Sequence, residues 1–302
     1  MKGRVYRIAG NATIVRAGEE EYSCHFRGKL KRERKKVLRL VSVGDEVEFE
    51  PSGAGEGVIE KVLPRKTKLS RHDSFRPRFE QVIAANVDQL VIVHSAADPE
   101  LKLLTIDRCT VMGEAADLLS VLCINKDDLK DVRESVVPYQ RAGYPLVLTS
   151  AKRGDGVEEL KNLLRGKISV LLGPSGVGKS SILNALSPGL ELKTGEVSVK
   201  TKEGRHTTSW VELIELEPGM EVIDTPGLEF FTLWGANPEN IRELFPEFFS
   251  RQTECRYRNC SHTKEGECAV LSAIKSGEIA QSRHDSYLTI REDLTEKRRQ
   301  IR

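Results

Sequence analysis

The chain has 302 residues, 39% of them hydrophobic and 30% charged, enough to bury full-sized cores and to form about two domains. No apolar run reaches the ~18 residues of a membrane span, and the N-terminus MKGRVYRIAG lacks an apolar leader core. A membrane-spanning helix and a secretory leader are thereby excluded, and a soluble, cytoplasmic protein with no membrane partner is the expectation. The net charge of +2 is unevenly spread: residues 1–70 hold 16 Lys and Arg against 10 Asp and Glu, which leaves −4 for the remainder.

Residues 1–66 read as short strands. VYRIAG, NATIVRAG, EEYSCHFRG, DEVEFEPSG and GEGVIEKVL combine β-branched or aromatic residues with Gly, Asn and Pro-Ser turns, at the spacing of a small OB-like β-barrel. Between the third and fourth strands, RGKLKRERKKVLRL places eight basic residues from Arg27 to Arg39 against one acid, Glu33. An isolated run of this kind is a solvated loop; on an OB-like barrel it tracks a phosphate backbone, and RNA is the favoured partner. Residues 67–86 show no clean periodicity, carry Pro77 between Arg76 and Arg78, and read as a linker.

From residue 87 to 234 the pattern becomes alternating strand and helix. VDQLVIVHS, LLSVLCIN, YPLVLTS and ISVLLG are apolar runs that end in polar residues, with helical stretches at about 100–117, 128–141 and 154–165. That is a parallel sheet with crossover helices, whose ligands sit beyond the carboxyl ends of the strands. The last of these runs leads into GPSGVGKS, Gly173 to Ser180, which fits the phosphate-binding loop pattern between a strand and a helix. The loop Gly173, Pro174, Ser175, Gly176, Val177 and Gly178 surrounds a triphosphate with the backbone N–H groups of its residues other than Pro174. Lys179 adds a point charge, and Ser180, followed by Ser181, offers a hydroxyl to Mg²⁺ at a helix N-terminus.

Four further elements accompany the loop. NKDD presents Asn125, Lys126 and Asp128; a carboxylate at the fourth position accepts from the two N–H donors of guanine and leaves a buried charge unpaired with adenine. TSA, Thr149, Ser150 and Ala151, offers a backbone N–H to the guanine oxygen. DTPG brings Asp224 to Mg²⁺ through water and the Gly227 N–H to the γ-phosphate, and a loop threonine, Thr207 or Thr208, closes over phosphate and Mg²⁺. NKDD and TSA precede the phosphate loop, whereas in an ordinary small GTPase they follow it. The sheet closes identically if the original ends are joined and the chain is opened elsewhere. Beyond DTPG the chain enters its C-terminal segment, so a switch movement is expected to pull on that segment. Leu228 stands where a water-orienting glutamine is usual, so the intrinsic turnover is expected to be slow; His206 is the candidate for that role, and a surface loop histidine is the alternative.

Residues 235–302 hold Cys255, Cys260, His262 and Cys268 within fourteen residues. Three thiolates and an imidazole make a closed tetrahedral site suited to one structural Zn²⁺, with core or reactive cysteines as the alternative. Cys24, Cys109 and Cys123 lie in apolar or strand segments and read as core. NPENIRELFPEFF, ECAVLSAIKSG and the charged end of the chain read as helices. The fold class is therefore multidomain: an OB-like barrel, a P-loop GTPase of permuted motif order, and a helical zinc-binding domain.

Together AANVDQLVIV, NKDD, TSA, GPSGVGKSS, GRHTT, DTPGL and the cysteine cluster make nearly the whole chain resemble the circularly permuted, ribosome-associated GTPases that act in assembly of the bacterial small ribosomal subunit. The resemblance implies GTP hydrolysis stimulated by the small subunit, contacts with its rRNA during late maturation, other assembly factors as further partners, and a monomer. Two other readings face it. A P-loop ATPase or kinase is disfavoured by Asp128, and a non-catalytic RNA-binding module is disfavoured by intact Lys179, Ser180 and Asp224. A GTP-dependent RNA-binding regulator not tied to the ribosome is the alternative within the GTPase reading.

Overall fold

The computed structural model describes residues 1–9, 12–28, 40–73, 76, 78–190, 211–225 and 233–301. The first five strands are β1 (Lys2–Ala9), β2 (Ala12–Ala17), β3 (Glu20–Phe26), β4 (Glu46–Gly53) and β5 (Glu56–Val62). They pair in the order β1-β2-β3-β5-β4, and an antiparallel β1–β4 pairing closes the barrel. Alternation along these strands turns Val5, Val15, Tyr22, Cys24, Val47, Phe49 and Ile59 into one small core. Closure also removes the exposed edges that a five-stranded open sheet would present.

Residues 67–86, expected to be a linker without regular structure, contain an antiparallel hairpin of β6 (Lys68–His72) and β7 (Glu80–Ala85). Its register shifts between Leu69 and Ser70, which breaks the strict alternation that a reading of periodicity depends on. The hairpin is tied to the barrel: Ala85 donates its N–H to the Val43 carbonyl at 2.9 Å, and Asn86 Nδ2 donates to the Gly44 carbonyl at 3.0 Å.

The central sheet comprises β8 (Gln89–Ser95), β9 (Leu119–Asn125), β10 (Leu146–Leu148), β11 (Ile168–Leu172), β12 (Glu212–Glu217) and β13 (Met220–Asp224), in the order β10-β9-β8-β11-β13-β12. All neighbours are parallel except β12 on β13. Its apolar runs are continuous because both faces are covered. One face packs under α1 (Leu103–Ala115) and α2 (Arg133–Arg141) through Ile106, Met112, Val136 and Tyr139; the other packs under α3 (Val157–Leu164) and α4 (Lys179–Leu186) through Leu160, Leu164, Ile182 and Leu183. The barrel adjoins the free edge of β12, where Arg7 of β1 opposes Glu212. Arg4 reaches Glu221 at 2.7 Å, Arg16 reaches Glu215 at 3.7 Å, and the Arg16 guanidinium lies 3.8 Å over the Tyr6 ring.

The C-terminal part begins with a 3₁₀ turn (Ile241–Leu244) and a single turn α5 (Pro246–Phe249), where one longer helix was expected. Pro246 forces the preceding Phe245 into extended backbone, with φ −119° and ψ 100°, and so divides the segment. Helices α6 (Ala269–Ser276) and α7 (Gln281–Ile301) follow. The charged terminal helix is not uniformly solvated: Tyr287, Ile290 and Leu294 join Phe245, Phe248 and the α1 residues in one core. Beneath it Arg283, 1% exposed, binds Asp107 of α1 and donates to both Glu247 oxygens at 2.6 and 3.1 Å, with its guanidinium 4.6 Å from the Phe245 ring centre. Removing the cation leaves two carboxylates buried and uncompensated. Arg283→Ala is therefore expected to cost about 3–5 kcal/mol, seen as a lowered thermal midpoint by circular dichroism, whereas Arg298→Ala at the exposed end of the same helix should leave the midpoint within a degree or so.

Candidate nucleotide and metal sites

Four motifs meet at one edge of the sheet, the carboxyl ends of β9, β10, β11 and β13. Gly173 leaves β11 so close to β8 that a Cβ there would lie 2.1 Å from the Val93 carbonyl oxygen. The loop ends at Gly178, whose φ of +95° suits glycine and whose added Cβ would stand 2.3 Å from Asn125 Nδ2. Helix α4 then starts at Lys179, with Ser180 in its first turn. Lys179 Nζ donates back to the Gly173 and Pro174 carbonyls at 2.8 and 2.9 Å, over the hollow that the loop forms.

Asn125 connects that loop to the base motifs. Its Nδ2 donates to the Val177 carbonyl at 3.0 Å, while its Oδ1 accepts from the Ala151 N–H at 3.1 Å and from the Thr149 hydroxyl at 3.3 Å. Lys126, at φ +60°, donates to the Gly176 carbonyl at 2.9 Å and to the Asp98 carbonyl, and so lies along the loop. Asp128 Oδ1 accepts from the Ser150 hydroxyl at 2.7 Å, which lowers the carboxyl below its ordinary value and keeps it ionised. The Ala151 N–H, expected to face a guanine oxygen, is engaged by Asn125 here, so an entering base shares or takes over that donor.

Asp224 ends β13 opposite Leu171 of β11. Burial raises its carboxyl above the ordinary value, against the attraction of Lys179, and its Oδ1 is buried without a hydrogen-bond partner among the described residues. A buried, unpaired carboxylate oxygen near the phosphate-loop lysine is donor chemistry that suits a hard cation such as Mg²⁺. His206, Thr207, Thr208 and Gly227 lie outside the described residues.

The cysteine cluster assembles as its spacing suggests. The candidate ligand atoms of Cys255, Cys260, His262 and Cys268 all lie within 4.8 Å of one another. Cys255 Sγ is 3.9 Å from Cys268 Sγ, and His262 Nδ1 is 3.3 and 3.7 Å from the sulfurs of Cys268 and Cys255. Metal–sulfur bonds of about 2.3 Å at tetrahedral angles give edges of about 3.8 Å, so the residues fit a Zn²⁺. Burial lowers His262 to about 4, which leaves the imidazole neutral, the form that ligates. Sequence reading missed the brace around this site. Glu265, despite desolvation that pushes its carboxyl up, is held at about 2 by the Ser261 hydroxyl and by N–H donors of Ser261 and Thr263. His284 Nε2 and the Tyr287 hydroxyl from α7 meet the His262 and Ser261 carbonyls at 2.7 and 2.6 Å. Nothing in the local sequence announces these roles.

A permuted order of guanine and phosphate motifs on one sheet edge defines the class: a circularly permuted GTPase. Known proteins agree. The RsgA GTPase family matches residues 62–234, and the RsgA N-terminal domain matches residues 2–59. The small ribosomal subunit biogenesis GTPase RsgA of Thermotoga maritima is 40% identical over 306 residues, covering 99% of this chain and 98% of its own; that of Moorella thermoacetica is 40% identical over 291 residues, covering 96% of each. The crystal structure of YjeQ from Thermotoga maritima superposes with a TM-score of 0.77 at 38% identity over 97% of this chain and 98% of its own. YloQ, described as a circularly permuted GTPase, gives 0.72 at 29% identity over 98% of this chain and 95% of its own. The chain belongs to the RsgA GTPase family.

The raised Asp224 gives a stability test. Because its folded value lies above the unfolded one, stability falls as pH rises from the ordinary carboxylate range through the folded value, and the ionised form is the costly one at neutral pH. Asp224→Asn is expected to raise the thermal midpoint of the nucleotide-free protein at pH 7 and to lose the further rise given by Mg²⁺ with a GTP analogue. Scans with and without Mg²⁺ check both; a variant still stabilised by Mg²⁺ would show that Asp224 does not face the ion.

Proposed function

We propose that this protein is a GTP-hydrolysing checkpoint in maturation of the small ribosomal subunit, gripping rRNA with its barrel and its zinc-binding part and acting in the cytoplasm as a monomer alongside other assembly factors. The observation that carries the reading is the Asn125 carboxamide, which links both base motifs and the phosphate loop at one sheet edge. The relatives' names favour the ribosome over an RNA regulator unconnected with it. In this reading residues 1–66 form the RNA-binding barrel, 67–86 link it to the GTPase part at 87–234, and 235–302 carry zinc.

Asp128 reads guanine, with Ala151 and Lys126 framing the base. Backbone N–H groups from Gly173 to Ser181 and the Lys179 ammonium take the phosphates, and Ser180, Asp224 and Thr207 or Thr208 hold Mg²⁺, which neutralises developing charge on the transferred phosphoryl group. His206 orients the attacking water in place of the missing glutamine. Cys255, Cys260, His262 and Cys268 hold one Zn²⁺ in a purely structural role. Since the C-terminal part shares a core with α1, a pull through residues 226–232 cannot swing it freely; nucleotide state reaches it through the α1 face as well.

GTP and ATP turnover, measured with and without isolated small subunits, tests the whole reading. The expected outcome is GTP turnover stimulated by subunits, abolished by Lys179→Ala and lowered about 100-fold or more by His206→Ala. GTP turnover indifferent to subunits would move the search to other RNAs. For the metal, atomic emission should find one zinc per chain, lost from Cys260→Ser with a drop in thermal midpoint.

A further inference from the structure

The barrel, the β6–β7 hairpin and the GTPase part leave a cleft of about 680 Å³ where they meet. It lies far from the GTP motifs: Ala115 and Ala116, at the end of α1 that leads into β9, form part of its wall, and that is the sheet edge opposite the phosphate loop. Its floor is apolar, with Met112 from α1 and Leu40 from the barrel side. The half-buried Trp234 indole forms one side, held by the Arg71–Leu233 bridge beside it and by the His72 ring at 4.7 Å in an edge contact. Ser70 also lines the cleft. It is 6% exposed, and its hydroxyl has no hydrogen-bond partner among the described residues.

The charges around the cleft are not equivalent. Arg65 is taken up by Asp45 at 2.7 Å and Lys68 by Glu80 at 2.7 Å. Lys66, exposed at the same rim, has no acidic partner among the described residues. An aromatic wall, an apolar floor, a buried hydroxyl that needs a partner and an uncommitted ammonium at the mouth match the chemistry of a nucleotide: a planar base with polar edges and an attached phosphate. Leu40 directly follows the basic run Arg27–Arg39 in sequence.

We propose that this cleft is a second nucleotide-binding site, separate from the GTP site, in which a base stacks on Trp234, the Ser70 hydroxyl bonds the base edge and Lys66 takes the phosphate. The occupant is one residue of a single-stranded RNA or a free mononucleotide, which share this chemistry. The proposal goes beyond the GTPase reading and does not depend on it.

The full-length chain with Trp210→Phe leaves Trp234 as its single tryptophan. With excess GDP filling the GTP site, its emission is titrated with a hexaadenylate oligoribonucleotide and, separately, with AMP. Saturable quenching is expected, weakened about tenfold by Lys66→Ala and abolished by Ala116→Phe, which fills the cleft; unchanged GTP turnover in both variants reports an intact fold. Quenching by the oligonucleotide alone makes RNA the source, and quenching by AMP at equal or lower concentration makes it the free nucleotide. Quenching by neither, or quenching undiminished in both cleft variants, overturns the proposal.

Discussion

The carboxamide of Asn125 is the contact on which the nucleotide site depends. One side chain at the end of β9 donates to the phosphate loop and accepts from the two residues that follow β10, so three separate stretches of chain are held in mutual register by hydrogen bonds around a single planar group. The amide is buried, where such bonds are strong and leaving any of them unmade is costly. Gly178 completes the arrangement because its missing Cβ is the space that the Asn125 nitrogen occupies. The order in which the motifs occur along the chain is then irrelevant to the chemistry. What matters is that strand ends deliver them to one edge, and a parallel sheet does so however its chain is opened.

The two flanking parts are attached by different physics. The C-terminal part is continuous with the core under α1, and its one buried cation, Arg283, sits among aromatic rings with two carboxylates. Such a junction is insensitive to salt and costly to open. Between the barrel and β12–β13 the described contacts combine the β1–β12 pairing, the burial of Tyr6 in one core with Leu213 and Ile223, and partly exposed charge pairs, Arg4 with Glu221 and Arg16 with Glu215. Ion pairs of this kind are individually weak and screened. The hairpin that the barrel rests on is also the one whose strands follow residues 191–210, which contain GRHTT, and lead into DTPG at Asp224–Gly227. The barrel is thus the part best placed to respond to nucleotide, and the C-terminal part the one best placed to stay with the GTPase.

A structural cost accompanies the catalytic arrangement. Among the described residues Asp224 keeps a carboxylate oxygen buried and unpaired, and six residues are held at positive φ without being glycine, including Lys126 in the base motif and His262 in the cysteine cluster. Both lie at the ligand-facing turns of their motifs, where the backbone must present a side chain or carbonyl in a direction that regular structure does not allow.

By itself the sequence determined the chemistry that is local. The phosphate loop is contiguous, the candidate metal ligands fall within fourteen residues, and each base motif directly follows an apolar run, so period, composition and spacing suffice to find them. The closed barrel and the two-faced parallel sheet were legible for the same reason, since alternation and continuous burial leave different patterns. Only the tertiary structure decided what depends on distant pairs. Asn125 meets Val177 across 52 positions and Arg283 meets Asp107 across 176. The hairpin at 67–86 was hidden by a register shift, the helix expected before the cysteines was divided by Pro246, and the cleft beside Trp234 lies where the barrel, that hairpin and α1 come together. None of these leaves a periodic trace, because each is set by how finished elements pack, and packing brings together residues that the chain keeps apart.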